Sequence, residues 1–409
     1  MNYRVLRGKT IVLGVSGSIA AYRAADLIRR LQEQESDVHV IMTKNACQFI
    51  TPLTMQALSQ NPVRVDMFDL SSERIGHIET ARMADIIVVA PATANIMAKA
   101  ASGIADDYLS TVLLATKSPV LFCPAMNPAM YSNVATQGNI KILRERGFHV
   151  IEPETGPVAC GEAGRGRFPA VDRIVFEIAS ILSEKSLAGV RIMVSAGPTR
   201  EFFDPVRFIS NPSSGKMGYA LAEAARLRGA NVHLISGPVS LEPPPGVNVY
   251  KVVSAIEMRE VARNLAPSMD IIIMAAAVGD YRPKKVAPSK IKKKLANVQI
   301  ELVQNPDILA ELGKEKGSQQ VLIGFAAETT KLVEHAKEKL RKKNLDLIIA
   351  NDVTKPGSGF CYDTNQVKIL YRDGVVEDVP PMSKLQVADR ILDIAGKMLA
   401  EKRDESKRN

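Results

Sequence analysis

The residues able to do chemistry in this chain are few and sit in short runs. Of its five histidines, His39, His149 and His233 fall in or beside apolar strand-like runs and His335 in a charged helical pattern, whereas His77 follows a glycine in Gly76-His77-Ile78. The four cysteines, Cys47, Cys123, Cys160 and Cys361, have no CxxC spacing, which argues against a disulfide framework or a structural zinc site. Cys47 and Cys123 read as small buried hydrophobes. Cys160 stands in Ala159-Cys160-Gly161-Glu162-Ala163-Gly164-Arg165-Gly166, where burial cannot account for a thiol. So glycine-rich a stretch reads as too flexible for a regular element and as a candidate lid. Ser16-Gly17-Ser18 fits a mononucleotide phosphate, because small residues allow close approach while hydroxyl and amide groups replace water.

Positive charge is concentrated in two places. Arg282, Lys284, Lys285, Lys290, Lys292, Lys293 and Lys294 form one cluster, and Lys337, Lys339, Arg341, Lys342 and Lys343, opposed by Glu338, form another. Together they exceed the net charge of +9, so the remainder of the chain is close to neutral. Such local clusters suit a polyphosphate ligand as well as they suit nucleic acid. With no tryptophan and 5% aromatic residues there is little to stack bases on, which makes nucleic acid the lesser reading.

The elements that must position these groups follow from periodicity. Lys9 to Val15 reads as a buried strand, followed after Ser16-Gly17-Ser18 by an amphipathic helix to about Gln34 and a strand from Asp37 to Thr43. Buried runs at Asp85 to Ala90 and Val120 to Cys123, separated by helical patterns, predict a parallel sheet covered on both faces. The pattern then restarts with a strand at Arg191 to Ala196, a long loop to Ser214-Gly215-Lys216, a helix to about Gly229, and Asn231 to Ile235 echoing Asp37 to Ile41. Strands follow at Asp270 to Ala277, Val321 to Ala326 and Asp346 to Ala350. A hairpin turns at Asp373-Gly374, and a helix spans Met382 to Ala400 before a charged tail expected to fray. Asn305-Pro306 opens another helix, with Asn305 as its cap and Pro306 at the first position. Ligands of such sheets sit at the carboxyl ends of the strands, where Ala90 to Asn95 and Cys123 to Met130 would converge. Neither half carries GxGxxG, so a dinucleotide fingerprint is not supported.

A length of 409 residues predicts two or three domains, and 46% hydrophobic with 24% charged residues is ordinary for a globular protein. No apolar run approaches the ~20 residues of a membrane helix, so no membrane partner is expected. The opening residues show no secretory signal, and a cytoplasmic location is the expectation.

In order along the first half, VSGSIAAYRAADLIRRL, GHIE, APATAN, PAMNPAM and ACGEAGRGR resemble phosphopantothenoylcysteine decarboxylases of the homo-oligomeric flavin-containing type. The resemblance implies FMN held by Ser16, Gly17, Ser18, Thr43, Thr93 and Asn95, functional positions at His77, Asn127 and Cys160, and a substrate contact at Met130. Ser18 stands where many relatives have glycine, a neutral departure because a hydroxyl serves a phosphate. The implied reaction oxidises the substrate thiol to a thioaldehyde, which accepts the electrons released as CO2 leaves, and then reduces the enethiolate. His77 would assist oxidation as a base or place the carboxylate, Asn127 would hold that carboxylate, and Cys160 would supply the final proton.

The second half resembles phosphopantothenate–cysteine ligases of the CTP-using type, through Ser195 to Glu201, Asp204 to Asn211, Ser213 to Gly218, Ala275 to Arg282, Lys290 to Lys293, Asn305 to Ile308, Gly324 to Thr329 and Asn351-Asp352. The resemblance implies CTP contacts at Met274, Ala275, Ala276, Asp280, Lys290, Asn305, Pro306, Asp307, Ile308, Phe325, Lys339 and Lys343. Mg2+ would sit on Asp280, a hard cation on carboxylate oxygen. Lys290 would stabilise charge at the transferring phosphate, Asn211 would orient the carbonyl of the acyl-cytidylate, and Lys292 to Lys294 are either substrate contacts or solvated charge. Both resemblances together follow the order of bifunctional coenzyme A biosynthesis proteins. They imply two tandem doubly wound Rossmann-like α/β domains, 1–186 (decarboxylase, flavoprotein type) and 187–409 (ligase). The implied partners are 4'-phosphopantothenate, cysteine and CTP, with assembly through decarboxylase trimers and ligase dimers up to a dodecamer. Two other readings stay open on the residues alone: a flavin decarboxylase of another thiol-bearing peptide fused to an unrelated nucleotide module, and a non-catalytic flavoprotein with a basic docking face.

Overall fold

The computed structural model describes residues 3–68, 76–157, 161–292, 299–328, 332–352, 359 and 362–408. Cys160, Cys361, Lys293 and Lys294 lie outside the described residues. The chain forms two compact units, Met1–Ser183 and Glu184–Asn409.

In the first unit the apolar runs become β1 (Thr10–Val15), β2 (Asp37–Met42), β3 (Ile86–Ala92), β4 (Val120–Pro124) and β5 (His149–Val150). They form one parallel sheet in the order β2-β1-β3-β4-β5. β3 and β4 are buried at every position, which is why they read as unbroken apolar runs rather than alternating ones. The helices are α1 (Arg23–Gln32), α2 (Pro52–Ser59), α3 (Gly76–Met83), α4 (Ala94–Ser102), α5 (Tyr108–Ala115), α6 (Pro128–Ser132), α7 (Val134–Glu145) and α8 (Val171–Leu182). α1 buries Ala24, Leu27, Ile28 and Leu31, the three-and-four spacing of one helix face. Each such leucine or isoleucine contributes about 1.5–3 kcal/mol relative to an exposed one.

The glycine-rich stretch corrects the sequence reading. It is regular over most of its described length: β6 (Glu154–Pro157) and β7 (Ala163–Arg167) pair as an antiparallel hairpin. Its glycines serve close packing rather than slack. A Cβ at Gly164 would stand 2.7 Å from Pro128 Cβ, and one at Gly166 2.3 Å from the Met126 carbonyl oxygen.

The second unit contains β8 (Arg191–Ala196), β9 (Arg200–Phe202), β10 (Phe208–Ser210), α9 (Lys216–Leu227), β11 (Asn231–Ser236), β12 (Asn248–Lys251), α10 (Ala255–Leu265) and β13 (Ile271–Met274). There follow β14 (Tyr281–Pro283), β15 (Leu302–Gln304), α11 (Ile308–Glu315), β16 (Val321–Glu328), α12 (Leu332–Lys342), β17 (Leu347–Asp352), β18 (Thr364–Tyr371), β19 (Val376–Ser383) and α13 (Lys384–Arg408). The main sheet runs β12-β11-β8-β13-β16-β17-β18-β19, parallel as far as β17 and antiparallel beyond it. By chain order within the unit its parallel part is 3-2-1-4-5-6 once the two separate antiparallel pairs, β9 with β10 and β14 with β15, are set aside, the doubly wound dinucleotide-fold arrangement without its glycine fingerprint. The echo between Asp37 and Asn231 reflects equivalent places, since both open the strand that pairs in parallel with the first strand of their unit.

Three expectations change here. The strand predicted to reach Ala277 ends at Met274, because Ala276 N–H turns to Ser195 Oγ (3.1 Å) and Ala277 N–H to Gly197 O (2.9 Å). The helix after Asn305 starts at Ile308 with Asp307 as its cap, accepting from Ala310 N–H at 3.0 Å. The charged tail does not fray but continues α13 to Arg408, pinned by Lys402 Nζ on Asp346 (2.7 Å) and Arg403 Nη2 on Asp270 (3.0 Å). The long loop after β8 contains the β9–β10 hairpin, which periodicity did not reveal.

Candidate active sites at the two switch points

In the first sheet β2 and β3 leave β1 in opposite directions, so the order reverses between β1 and β3, where doubly wound sheets bind ligands outside the carboxyl ends. Ser16, Gly17 and Ser18 follow β1 directly, Thr93 and Asn95 follow β3, Thr43 follows β2, and Asn127 and Met130 follow β4. The structure thus brings these sequence-predicted residues to one edge. A Cβ at Gly17 would meet Asn45 Cβ at 2.5 Å, so the turn is shaped as a cradle only glycine permits. Ser18 caps the helical turn Ile19–Tyr22, accepting from Ala20 N–H at 3.3 Å. Ser16 is buried and its hydroxyl is already engaged, donating to Pro91 O at 2.8 Å and accepting from Thr93 N–H at 3.0 Å. Its contribution is therefore to tie the ends of β1 and β3 together. Thr43 accepts from Ala46 N–H through Oγ1 at 3.2 Å, and Thr93 caps α4. Asn95 is exposed.

α3 leads through Ala84 and Asp85 straight into β3, so its first turn, bearing His77, points toward the same carboxyl edge. The His77 ring stands edge-on to Tyr108, with centroids 6.5 Å apart. Tyr108 in turn bonds Thr80 Oγ1 at 3.0 Å, which donates to Gly76 O at 2.8 Å, fixing the turn that carries the histidine. Asn127 caps α6, accepting from Ala129 N–H at 2.8 Å, while its Nδ2 donates to Glu162 Oε2 at 2.9 Å. Met126 N–H donates to Gly166 O at 3.0 Å, so β7 lies directly on the Asn127 loop.

Met130 is half exposed. Sequence reasoning missed the anchor of this hairpin. Tyr131 donates to Glu152 Oε2 at 2.6 Å and Arg165 of β7 pairs with the same oxygen at 3.1 Å, so burial and then the Glu152 carboxylate push the tyrosine up to about 12. Of the cysteines, Cys123 is buried and burial raises its thiol, whereas Cys47 is only half-buried, short of the buried role read for it.

In the second sheet β11 and β13 leave β8 in opposite directions, and the switch point lies between β8 and β13. Met274 ends β13 there, and Ala275, Ala276 and Asp280 follow it, beside the Ser195 to Thr199 turn. Gly279 N–H donates to Thr199 Oγ1 at 2.9 Å, and Asn305 joins the group, its N–H on Asp280 O and its Nδ2 on Gly279 O, both at 2.8 Å. The buried Asn305 is thus a brace for the Asp280 turn rather than a helix cap, with Pro306 as the bridge from it to the capping Asp307 at the start of α11. Lys343 pairs with Asp307 at 2.8 Å, which places one cation of the second basic cluster at the α11 start. Phe325 lies half-buried on β16 beside β13, Lys339 is half-buried on α12, and Lys290 and Asp280 are exposed. Asn211 donates both amide hydrogens to the loop after β13, to Ala277 O at 3.2 Å and Val278 O at 3.1 Å. What it offers a substrate is then its carbonyl oxygen, an acceptor, which does not suit the carbonyl-orienting role expected of it.

Asp204 stands in one of the motif runs, yet no role was read for it. Its carboxylate is wholly buried and accepts from Val206 N–H, Arg207 N–H, the Arg207 guanidinium and Ile291 N–H, at 2.9, 2.8, 2.5 and 3.1 Å. The Arg207 guanidinium above all, helped by the three backbone donors, holds it well below the usual carboxylate range. The Asp-Pro-Val-Arg spacing was the available signal. Among the described residues no group of three His, Cys, Asp or Glu side chains could hold a metal ion, and no helix is long and apolar enough to cross a membrane.

Comparison with known proteins sets these sites in context. The Flavoprotein family matches residues 1–183, and the DNA/pantothenate metabolism flavoprotein C-terminal domain matches residues 187–398. The Coenzyme A biosynthesis bifunctional protein CoaBC of Bacillus subtilis (strain 168) is 48% identical over 393 residues, 95% of this chain and 97% of that protein. Its counterpart in Escherichia coli (strain K12) is 46% identical over 392 residues, 95% of this chain and 96% of that protein. The crystal structure of the C-terminal domain of a protein of that name is 44% identical, with a TM-score of 0.47, and covers 53% of this chain and 100% of that one.

Proposed function

Since the chain belongs to the family of coenzyme A biosynthesis bifunctional proteins, we propose how its own residues divide the work of the two activities of that family. The protein is an enzyme with two activities, phosphopantothenate–cysteine ligase and phosphopantothenoylcysteine decarboxylase, on two tandem Rossmann-like α/β domains. The ligase product is the substrate of the decarboxylase, whose product is 4'-phosphopantetheine.

The observation that carries the decarboxylase assignment is that Asn127 Nδ2, at the end of β4, already donates to a carboxylate, that of Glu162, at 2.9 Å. In the reading proposed here the carboxylate of phosphopantothenoylcysteine takes that place. The residues fit FMN by their donor set: the Gly17 cradle, the Ser18 hydroxyl at a helical turn, and Thr43, Thr93 and Asn95 around it. FMN, when bound, supplies a two-electron acceptor for the substrate thiol and returns those electrons after CO2 is lost. Ser16 keeps Thr93 in place, His77 acts as base or carboxylate anchor from the first turn of α3, Met130 borders the substrate, and Cys160 gives the last proton. The test is Cys160→Ser. A hydroxyl is a far weaker acid than a thiol, so a decarboxylated enethiol should accumulate while CO2 is still released. Normal turnover by this variant would remove Cys160 from the mechanism.

In the ligase half, CTP is the activating nucleotide in this reading. The phosphopantothenate carboxylate attacks its α-phosphate, pyrophosphate leaves, and the cysteine amine then displaces CMP from the acyl-cytidylate to form the amide. Lys290 holds positive charge at the phosphate under attack, Asn305 to Ile308, Phe325, Lys339 and Lys343 border the nucleotide, and Met274 to Ala276 offer backbone groups. Asp280 is the candidate holder of Mg2+, which when bound supplies charge neutralisation at the phosphates, and one carboxylate suffices where phosphate oxygens and water complete the shell. Asn211, with its N–H groups committed, accepts from the attacking amine in the second step. A cytoplasmic homo-oligomer, built from decarboxylase trimers and ligase dimers, completes the proposal.

A further inference from the structure

We infer that Asp204 is a positioning residue for the first step of ligation: a buried carboxylate that fixes the backbone beside Lys290 to the hairpin leading to Asn211. The inference deepens the ligase reading above and rests on the role given there to Lys290.

Asp204 sits in the turn between β9 and β10 with its side chain wholly buried. Two of its bonds, from Val206 N–H at 2.9 Å and Arg207 N–H at 2.8 Å to Oδ1, make an ordinary local turn that asparagine would serve equally. Its other oxygen does something else. Oδ2 receives Arg207 Nε at 2.9 Å, Arg207 Nη2 at 2.5 Å and Ile291 N–H at 3.1 Å, three donors that only an anion can satisfy together. Ile291 lies 87 residues along the chain, outside any need of the turn. Arg207 Nη2 closes the loop by donating to Ile291 O at 2.8 Å, so both backbone groups of Ile291 are held by one ion pair. Ala287 N–H, on the other side of Lys290, donates to Phe203 O at 2.9 Å.

Lys290 is therefore exposed on a strap fastened at both ends to the same turn. A lysine ammonium on a flexible four-carbon stem is placed well only if its backbone is. The same hairpin runs through β10 to Asn211, which grips the loop after β13 through Ala277 and Val278. Asp204 thus positions the residue assigned to carboxylate activation without touching substrate, while Asn211 keeps its own hold on Ala277 and Val278 when the strap is released.

The test uses the full chain with FMN bound. In Asp204→Asn the amide nitrogen would face the Arg207 and Ile291 donors, releasing the strap. Pyrophosphate release from CTP and phosphopantothenate, read by rapid quench, should fall roughly ten- to a hundredfold. Capture of preformed acyl-cytidylate by cysteine, and decarboxylation of added phosphopantothenoylcysteine, should stay at the unmodified rate, which general damage to the fold would not allow. On a Lys290→Gln background the same substitution should cause no further loss, because the group it positions is gone. Multiplicative losses in the double variant, or equal damage to cysteine capture, would overturn the inference. If Lys290→Gln alone leaves pyrophosphate release intact, it is the reading of Lys290 that fails, and the inference with it. Should Asp204→Asn not fold, Arg207→Lys breaks the fork but keeps the charge. It should speed hydrogen exchange at the Ile291 amide and slow the same step, and unchanged exchange there would count against the strap.

Discussion

Gly166→Ala should disable decarboxylation while sparing ligation. The added methyl would stand 2.3 Å from the Met126 carbonyl oxygen and 3.3 Å from Pro128 N, both backbone atoms that cannot swing aside. An ordinary carbon–oxygen contact is about 3.3 Å, so β7 and the Asn127 loop must separate by about 1 Å. That displacement also stretches the bond from Met126 N–H to Gly166 O, 3.0 Å in the native fold. Misplacing a substrate-holding group by 1 Å can cost about a hundredfold, or about 2.7 kcal/mol of barrier. CO2 release from phosphopantothenoylcysteine measures the loss, ligation in the same sample serves as internal control, and flavin absorbance verifies that the cofactor site persists. Gly164→Ala should act in the same direction but less, since the atoms it meets, at 2.7 and 2.9 Å, belong to the Pro128 ring rather than to backbone. Undiminished CO2 release by Gly166→Ala would refute the claim that glycines in this stretch exist for close approach to the Asn127 loop.

Asp346→Asn should destabilise the ligase half, because Lys316, 5% exposed in its side chain, would lose the carboxylate it pairs with at 2.8 Å. Breaking a buried pair from one side costs about 3–5 kcal/mol, readable as a lowered denaturation midpoint. Burial alone would raise the Asp346 pKa, but bonds from Lys316 and Lys402 outweigh it and hold the group below its ordinary value. The associated stability is present above the unfolded carboxylate pKa of about 3.9 and is lost as pH falls through the lower folded value, so native chain and variant should converge in acid. Divergence that persists at the lowest pH would contradict this. Gly138→Ala, in the interior of α7 with nothing within 4 Å of the new methyl, should raise stability by about 0.5–1 kcal/mol with both activities unchanged; a lowered melting temperature would count against it.

Much of this architecture was legible because buried parallel strands announce themselves as unbroken apolar runs. Arg191 to Ala196 was delimited without error, and the loops that follow such strands had to meet at one edge of each sheet. What escaped was set by contacts distant in sequence. The glycines of β7 look like slack until Met126 and Pro128 are seen against them. The tail after Ala400 looks solvated until Lys402 and Arg403 find Asp346 and Asp270 at the amino-terminal edge of the sheet. Asn305 resembles a cap by type and by the proline after it, but a brace for Gly279 claims its side chain and leaves Asp307 to cap. Asp204 could be read only as half of a turn, since its partner Ile291 is far along the chain.

The most direct measurement of the central claim is the full product balance of the intact chain supplied with 4'-phosphopantothenate, cysteine, CTP, Mg2+ and FMN. The expected result is 4'-phosphopantetheine, CO2, CMP and pyrophosphate in equal amounts, with phosphopantothenoylcysteine accumulating when flavin is withheld. Consumption of cysteine without CMP release, or a product that retains its carboxylate in the presence of FMN, would contradict it.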